Sequence, residues 1–211
     1  MSISLCLASA SPARLRTLRG AGVDPLVRVS SVDEAAAEAA AAERHGELAA
    51  EDVALLLARA KCEDVAAVLD EEEWDGIVLG CDSVLDLDGE THGKPADAEE
   101  ARRRWRAMSG RSGVLHSGHW IIDTREDGTA ATLGAVASTT VHFARLTDEE
   151  IDAYVGTGEP LRVAGAFTID GLGGPYVTGL EGDHHNVVGV SLPLLRELLA
   201  EIDVPWHTLR T

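Results

Sequence analysis

The stretch that decides the fold is Gly-Ile-Val-Leu-Gly-Cys-Asp-Ser at residues 76–83, which the cationic segment Gly-Lys-Pro at residues 93–95 follows. Its apolar run predicts a buried strand at 77–80 that ends just before Asp82. In α/β proteins ligands and catalytic groups gather where strands end, because the sheet fixes them while the loops vary. An acid there beside Lys94 suits a site that holds a metal ion and a phosphate together. For this stretch alone, a buried structural aspartate is an equal alternative.

Strand and helix patterns alternate around this stretch. They predict an α/β protein with a mixed, elongated sheet flanked by helices, and two lobes with a ligand cleft between them. We expect one domain over residues 1–211, with a second lobe at about 112–180. The alanine-rich tract at 35–42 fits either a helix or a mobile loop, and residues 186–189 suggest a small apolar strand or turn. The other patterns predict strands at 3–8, 26–29, 114–124 and 130–144, a hairpin turn at 88–89, and helices at 12–19, 51–69, 97–108, from 147 and at 192–202.

Composition limits the classes of function. The chain of 211 residues carries a net charge of −18, which argues against a general nucleic-acid-binding protein because such proteins present a basic face. An anionic small ligand is not excluded, since a few local cations set the potential of a pocket. Three cysteines without Cys-x-x-Cys spacing, no secretory leader and no apolar run of membrane-spanning length predict a cytoplasmic protein without membrane contact.

A predicted strand leads into a turn of small residues at 9–14, Ser-Ala-Ser-Pro-Ala-Arg, where a helix begins. The free N–H groups at the start of that helix form a potential anion site. Ser9 and Ser11 add hydroxyl donors, and Arg14 can bind a phosphate through two hydrogen bonds. An ordinary helix cap with a surface arginine is the alternative, and the segment alone favours it.

Three further segments carry charged groups of interest. Asp33 and Glu34 are paired acids that suit Mg²⁺, although in so acidic a chain they could be a solvated loop. Lys61 lies near the apolar face of a predicted helix, where it either extends to water or reaches a pocket. The glycines around Asp170, at 164–174, suggest close approach of the backbone to a ligand, with a flexible surface loop as the alternative.

In their order along nearly the whole chain, these segments resemble one family. Each motif is weak alone, but the set is specific. The chain is similar to the Maf proteins, nucleoside triphosphate pyrophosphatases with a fold like that of inosine triphosphatases. The segments that carry the resemblance are Leu7-Ala8-Ser9-Ala10-Ser11-Pro12, Val32-Asp33-Glu34, Ala58-Arg59-Ala60-Lys61, Gly80-Cys81-Asp82-Ser83, Gly93-Lys94-Pro95, Gly158-Glu159-Pro160, Ala164-Gly165-Ala166-Phe167, Gly171-Leu172-Gly173-Gly174 and Asn186-Val187-Val188-Gly189.

The resemblance implies hydrolysis of a nucleoside triphosphate between its α and β phosphates, with Mg²⁺ or Mn²⁺ as cofactor. Family members are thought to remove non-standard or surplus nucleotides. By position, Asp82 matches the catalytic acid, and Glu34 would share the metal with it. An aspartate of ordinary pKa, about 3.9, is a weak base, so holding the metal is the better use of Asp82. The positions that match phosphate-binding residues are Ser9, Ser11, Arg14, Lys61 and Lys94.

Three positions that choose the base depart from the known subfamilies. Where this chain has Ala13, Ser83 and Asp170, the subfamily acting on dTTP and UTP has Arg, Thr and Gln, and the one acting on 7-methyl-GTP has Trp, Gln and Glu. The substrate base therefore cannot be copied from either. An ionised Asp170 only accepts hydrogen bonds, whereas glutamine also donates them. We expect purine or modified-purine triphosphates, or CTP, to be used better than dTTP.

Two other classes of function compete with the enzyme. A non-catalytic nucleotide-binding regulator of cell division could share the fold, since the family is also associated with septum formation in bacteria. The full set of acids and cations favours the enzyme, because binding alone does not require it. A nucleic-acid-binding module conflicts with the charge of −18 and with the 4% of aromatic residues, which leave no platform for stacking bases. A homodimer follows from the resemblance alone.

Overall fold

The computed structural model describes residues 3–210, and one seven-stranded mixed sheet runs through them. The strands are β1 (Leu5–Ala8), β2 (Leu26–Val27), β3 (Ile77–Leu87), β4 (Glu90–His92), β5 (Ser112–Asp123), β6 (Thr132–Phe143) and β7 (Val177–Glu181). Their order is β2-β1-β3-β5-β6-β7, and β4 pairs with β3. β1 pairs in parallel with β2 and β3, and the other pairs are antiparallel. This arrangement confirms the predicted mixed sheet.

Helices cover both faces of the sheet. They are α1 (Pro12–Gly20), α2 (Glu34–His45), α3 (Ala50–Glu71), α4 (Ala98–Met108), α5 (Asp148–Gly156), α6 (His184–Val188) and α7 (Leu192–Ala200). Leu5 and Leu7 of β1 pack with Leu195 of α7, whereas Cys6 packs with Val65 of α3 on the other face. A strand buried on both faces is apolar at every position, as β1 is. None of the described helices combines the length and the hydrophobicity needed to cross a bilayer.

The alanine-rich tract, which the sequence left open, is a helix. Asp33 caps the start of α2 by accepting a hydrogen bond from the Ala36 N–H at 3.0 Å, and Gly46 ends it with a φ of 83°. The hairpin predicted at residues 88–89 is confirmed, since Leu87 pairs with Glu90 across it. Side-chain caps and a turn residue therefore decide the local structure, where alanine content alone did not.

One predicted boundary and one predicted element differ from the structure. The strand predicted at 77–80 does not end before Asp82 but continues to Leu87, because β5 pairs with it from residue 77 to residue 86. Residues 186–189, expected as a strand or turn, belong to α6 and its end. Asp183 caps this helix by accepting from the His185 N–H at 3.0 Å, and Gly189 ends it with a φ of 122°.

Most of the aromatic side chains gather in one core among α4, α5 and β6. Trp105 packs edge-on against Phe143 and Tyr154, with ring centroids 5.8 and 5.3 Å apart. Its indole N–H donates to the carbonyl of Ala166 at 2.8 Å, which ties α4 to residues 164–166. The predicted second lobe at about 112–180 stays a prediction of the sequence, since the sheet is continuous through this core.

Candidate active site

A break in strand pairing beside β3 organises the site. β1 pairs with residues 77–80 of β3, and β4 pairs with residues 85–87. β5 pairs along the opposite side, so residues 81–84 have a strand neighbour on one side only. We call this break the gap. The strand that ends at the gap is therefore β1, at Ala8 beside Gly80, whereas Asp82 lies within β3.

The side chain of Arg14 occupies the gap and is buried there. Its Nη1 donates to the carbonyl of Cys81 at 2.7 Å and to Ser9 Oγ at 3.1 Å. Its Nη2 donates to Ser83 Oγ at 3.1 Å, and its Nε donates to the carbonyl of Gly189 at 2.8 Å. The guanidinium thus hydrogen-bonds to β3 where that strand has no neighbouring strand on one side.

These contacts change the expectation for Arg14. A guanidinium has five N–H donors, and four of them are used inside the protein. A two-hydrogen-bond contact with a phosphate therefore does not fit this arrangement, which leaves one N–H at Nη2. The alternative of a surface arginine is also wrong, because only 8% of Arg14 is exposed. The expectation that Arg14 faces the phosphates stays a prediction. Arg14 would then contribute one N–H donor and its positive charge.

The two serines before α1 are arranged as hydroxyl donors. Ser9 Oγ accepts hydrogen bonds from Arg14 Nη1 at 3.1 Å and from the Ser11 N–H at 3.2 Å, which leaves its own hydrogen available for a ligand. Ser11 caps α1 and accepts from the Arg14 N–H at 3.4 Å. The predicted cap is therefore confirmed, and it lies beside the N–H groups that start the helix.

Lys61 joins the two predicted metal acids. Its Nζ lies 2.7 Å from Glu34 Oε1 and also contacts Asp82 Oδ1. Lys61 and Asp82 are each 8% exposed, so the alternative in which Lys61 extends to water is wrong. We call Lys61, Asp82 and Glu34 the acid–lysine centre. Its ammonium lies between two carboxylates in a poorly solvated place, where such pairing is needed.

Two glycines let α3 approach the sheet closely enough to form this centre. A Cβ on Gly80 would overlap the carbonyl oxygen of Ala58 in α3. Gly118 lies directly opposite Asp82 in β5, and a Cβ there would overlap the carbonyl oxygen of Ala54. The backbone of α3 therefore rests on β3 and β5, which brings Lys61 to Asp82.

A third acid, Glu38, lines the same cavity and was missed by the sequence reading. Burial and the negative charges of Asp82 and Glu34 raise the pKa of Glu38. Burial alone would also raise the pKa of Glu34, but the hydrogen bond and charge of Lys61 outweigh it and lower that pKa. The i,i+4 spacing of Glu34 and Glu38 would have revealed the pair, had residues 35–42 been read as a helix.

The acid–lysine centre fits a divalent cation of the Mg²⁺ type. Each carboxylate contacts Lys61 through one oxygen, and within residues 3–210 the second oxygen of each accepts no hydrogen bond. No group of three or more metal-binding side chains occurs among the described residues, so a closed protein cage for a metal is not found there. Mg²⁺ is commonly held by one or two carboxylates together with substrate phosphates and water, which matches this donor set.

The three predicted base-specificity residues lie on the cavity wall, and their side chains differ in the polar contacts they already make. Ala13 offers no polar group. Ser83 Oγ accepts a hydrogen bond from Arg14 Nη2 at 3.1 Å and shares a hydrogen bond with Ser117 Oγ at 2.7 Å. Asp170 Oδ2 accepts from Arg16 Nη2 at 3.0 Å, a contact the sequence did not predict. The carboxylate of Asp170 therefore lies on the cavity wall together with a neighbouring cation.

The loop that carries Asp170 is anchored at both ends of residues 168–173. Glu159 accepts hydrogen bonds from the N–H groups of Leu172 at 3.0 Å and Gly173 at 3.1 Å, and from the hydroxyls of Tyr154 and Thr168. Burial alone would raise the pKa of Glu159, but these donors lower it. A carboxylate bound by four donors fixes the loop, so the alternative of a flexible surface loop does not describe it.

One cavity of about 1650 Å³ is lined by the predicted site residues except Asp33, which caps α2 instead. It exceeds the usual size of small-ligand pockets, roughly 300–1,000 Å³. Lys94 lies on its wall and is exposed. The predicted residues that it brings together are Ser9, Ser11, Ala13, Arg14, Glu34, Lys61, Asp82, Ser83, Lys94 and Asp170.

Comparisons with known proteins identify the family of the chain. A family model described as Maf-like protein matches residues 4–202. A nucleoside triphosphate pyrophosphatase of Leifsonia xyli subsp. xyli (strain CTCB07) is 54% identical over 205 residues, which are 97% of this chain and 95% of the relative. Proteins of the same name from Streptomyces coelicolor (strain ATCC BAA-471 / A3(2) / M145) and Cutibacterium acnes (strain DSM 16379 / KPA171202) are 55% and 47% identical, over 94% and 99% of this chain and 90% and 95% of theirs. The chain therefore belongs to the Maf family.

Proposed function

We propose that this protein is a nucleoside triphosphate pyrophosphatase that cleaves between the α and β phosphates and so removes non-standard or surplus nucleotides. The observation that carries the proposal is the acid–lysine centre, which lies in one cavity with Arg14 and Lys94. Relatives that are 47% to 55% identical carry the name of this activity. A homodimer and a cytoplasmic location remain expectations from the sequence.

Lys61 contacts both acids of the centre and fixes their orientation. It contacts one oxygen of Asp82 and one of Glu34, so the other oxygens can face the substrate side. A Mg²⁺ or Mn²⁺ ion held by these two carboxylates would neutralise phosphate charge and lower the pKa of a bound water. The residues themselves supply the placement of negative charge and the exclusion of bulk water, since Asp82 is buried.

The cations and the start of α1 face the phosphates in this proposal. Lys94, the remaining N–H of Arg14 and the hydroxyl of Ser9 are donors that could bind the triphosphate. Charge that develops on the pyrophosphate leaving group is stabilised by such preorganised donors. Arg14 would act mainly through its charge, because four of its N–H groups already have protein acceptors.

For the base, we propose that Asp170 and Arg16 act together. Oδ2 of Asp170 is engaged by Arg16, and the carboxylate still only accepts hydrogen bonds. A base that presents donors, such as the N1–H and amino group of guanine or the amino group of cytosine, therefore suits it better than thymine. The contact with Arg16 would fix the orientation of the Asp170 carboxylate beside the base.

The test is release of pyrophosphate and monophosphate from a panel of standard and modified nucleoside triphosphates, with Mg²⁺ or Mn²⁺. Wild type is compared with Asp82→Asn and with the control Asp52→Asn, an exposed acid on α3. Release that is lost only in Asp82→Asn supports the enzyme. Triphosphate binding without release in wild type would instead favour the non-catalytic regulator.

A further inference from the structure

We propose that Glu100 and Arg104 of α4 form a clamp that positions Lys94 for the triphosphate. This inference deepens the proposed function and rests on it. The carbonyl of Gly93 accepts a hydrogen bond from Arg104 Nη1 at 2.5 Å, and the N–H of Ala96 donates to Glu100 Oε2 at 2.7 Å. The two side chains also contact each other through Arg104 Nη2 and Glu100 Oε1.

The clamp holds the peptide group before Lys94 and the peptide group after Pro95. The Gly93 carbonyl has a second donor, the N–H of Gly165 at 3.1 Å. Pro95, which follows Lys94, is buried and has a restricted backbone. One turn of α4 therefore fixes the short segment that carries the lysine. The hydrogen bond between Gly93 and Gly165 also connects the motifs at 93–95 and 164–167, which are separate in the sequence.

Burial makes this contact more than a surface ion pair. The side chain of Arg104 is 11% exposed and that of Glu100 is 25% exposed. The Nε of Arg104 is buried without a hydrogen-bond partner in the described part of the chain, so the arginine tolerates an unsatisfied donor in order to keep its other contacts. A pair that served only solubility would not be placed in this way.

Lys94 itself is held by nothing else. Among residues 3–210 its ammonium has no ion pair and no hydrogen bond, although its charge helps to lower the pKa of Glu34. Its position thus depends on the backbone that the clamp fixes. Ordering this segment in advance removes an entropic cost from binding of the triphosphate, and a small misplacement of a charged group can be expensive.

A double-mutant cycle distinguishes positioning from a general structural role. The variants are Arg104→Ala, Lys94→Ala and both together, with Arg104→Lys as the conservative change. Arg106→Ala is the matched control, since Arg106 pairs with Asp148 at the surface of the same helix. The readouts are kcat and KM for the best triphosphate, and Tm.

We expect Arg104→Ala to lower kcat/KM about 10-fold to 100-fold, and Arg104→Lys to recover part of the loss. In the Lys94→Ala background the same change should lower kcat/KM less than about twofold, although Tm falls equally in both backgrounds. Equal losses of kcat/KM in both backgrounds, or no loss in the folded single variant, would overturn the clamp.

The double-mutant cycle can also be measured through binding affinity, without any catalysis. The Kd of a triphosphate with a methylene group between the α and β phosphates should follow the same non-additive pattern. This reading tests the clamp even if wild type releases no pyrophosphate, a result that would refute the proposed function alone. Additive effects on Kd would overturn the clamp whatever the activity of the wild type.

Discussion

Lys61 and Lys94 bring the same charge into one cavity, but they are held there in opposite ways. Lys61 is buried on α3 and contacts two carboxylates directly. Lys94 is exposed, and the contacts fix its backbone only, through the Gly93 carbonyl, bound by Arg104 and Gly165, and the Ala96 N–H, bound by Glu100. The first lysine belongs to the sheet-held acid–lysine centre, and the second belongs to the loop-held side of the cavity.

The comparison separates two tasks within one cavity. Groups held by the sheet and α3 have little freedom, which suits chemistry that is the same for every substrate. Groups held by loops, such as Lys94 and Asp170, can change without disturbing the core. If this division is correct, damage to the sheet-held side should reduce both stability and rate, whereas damage to the loop-held side should change binding and substrate preference.

The largest effect is expected at Asp82. We expect Asp82→Asn to lower kcat about 1,000-fold, because the amide cannot supply the negative charge that the reaction requires. Single-turnover kinetics at saturating triphosphate would measure this loss. Lys94→Met should instead raise KM more than it lowers kcat. If the two variants showed the same division between kcat and KM, the proposed separation of tasks would be broken.

A second large effect is expected on stability at Lys61. Lys61→Met leaves Asp82 and Glu34 without their cation, so the free energy of unfolding at pH 7 should fall by about 3 kcal/mol. The deficit should shrink at pH 5, because without Lys61 burial raises the pKa of Glu34, which can then take up a proton. Urea unfolding measures it, and the control Lys94→Met should change stability by less than about 0.5 kcal/mol.

A smaller effect on specificity is expected at Asp170. We expect Asp170→Gln to shift the ratio of kcat/KM for GTP or CTP over dTTP about tenfold toward dTTP, because glutamine can also donate. The loop is anchored by Glu159 rather than by Asp170, so Tm should not change. A substrate panel tests this expectation, and an unchanged ranking of bases would remove Asp170 from base recognition.

The smallest effect concerns pH and His119, which lies in β5. Its Nδ1 donates to the Ser117 carbonyl at 3.0 Å, so its Nε2 is the acceptor for the Ser191 N–H at 2.8 Å. Burial lowers the pKa of His119 to about 4. The unfolded chain, with a pKa of about 6.5, therefore binds more protons between these values, and stability falls as pH decreases through this range.

The variant His119→Gln should remove this contribution, because its amide oxygen can still accept from Ser191 and does not titrate. Between pH 6 and pH 5 its loss of stability should be about 1 kcal/mol smaller than that of wild type. Urea unfolding at both pH values measures the difference. Parallel losses in the two proteins would show that other groups, and not His119, cause the acid dependence.

The sequence predicted which residues lie in the site better than it predicted the contacts between them. Apart from Asp33, the predicted site residues line one cavity, which lies beside the end of β1, the start of α1 and the gap along β3. The extent of β3 was not predictable from its apolar run, since β5 sustains it beyond Gly80. The acceptors of Arg14 include the carbonyls of Cys81 and Gly189, and a backbone carbonyl leaves no mark in the sequence.

The same limit explains why Glu38, Arg16 and Arg104 were missed. Glu38 depended on recognising α2, whose alanines carry no amphipathic pattern. Arg16 and Arg104 act through partners that lie far away in the chain or on the backbone, Asp170 and the Gly93 carbonyl. Spacing rules find neighbours on one element, but they do not find pairs that only the tertiary fold brings together.

The contacts of Arg14 also bear on how the protein acquires its activity during synthesis. They join this residue to Cys81 and Gly189, which lie 67 and 175 positions further along the chain. Contacts between such distant segments are among the slowest to form. A ribosome-bound chain that has not yet released residue 189 lacks one acceptor of Arg14, so hydrolytic activity waits until that residue has left the ribosome.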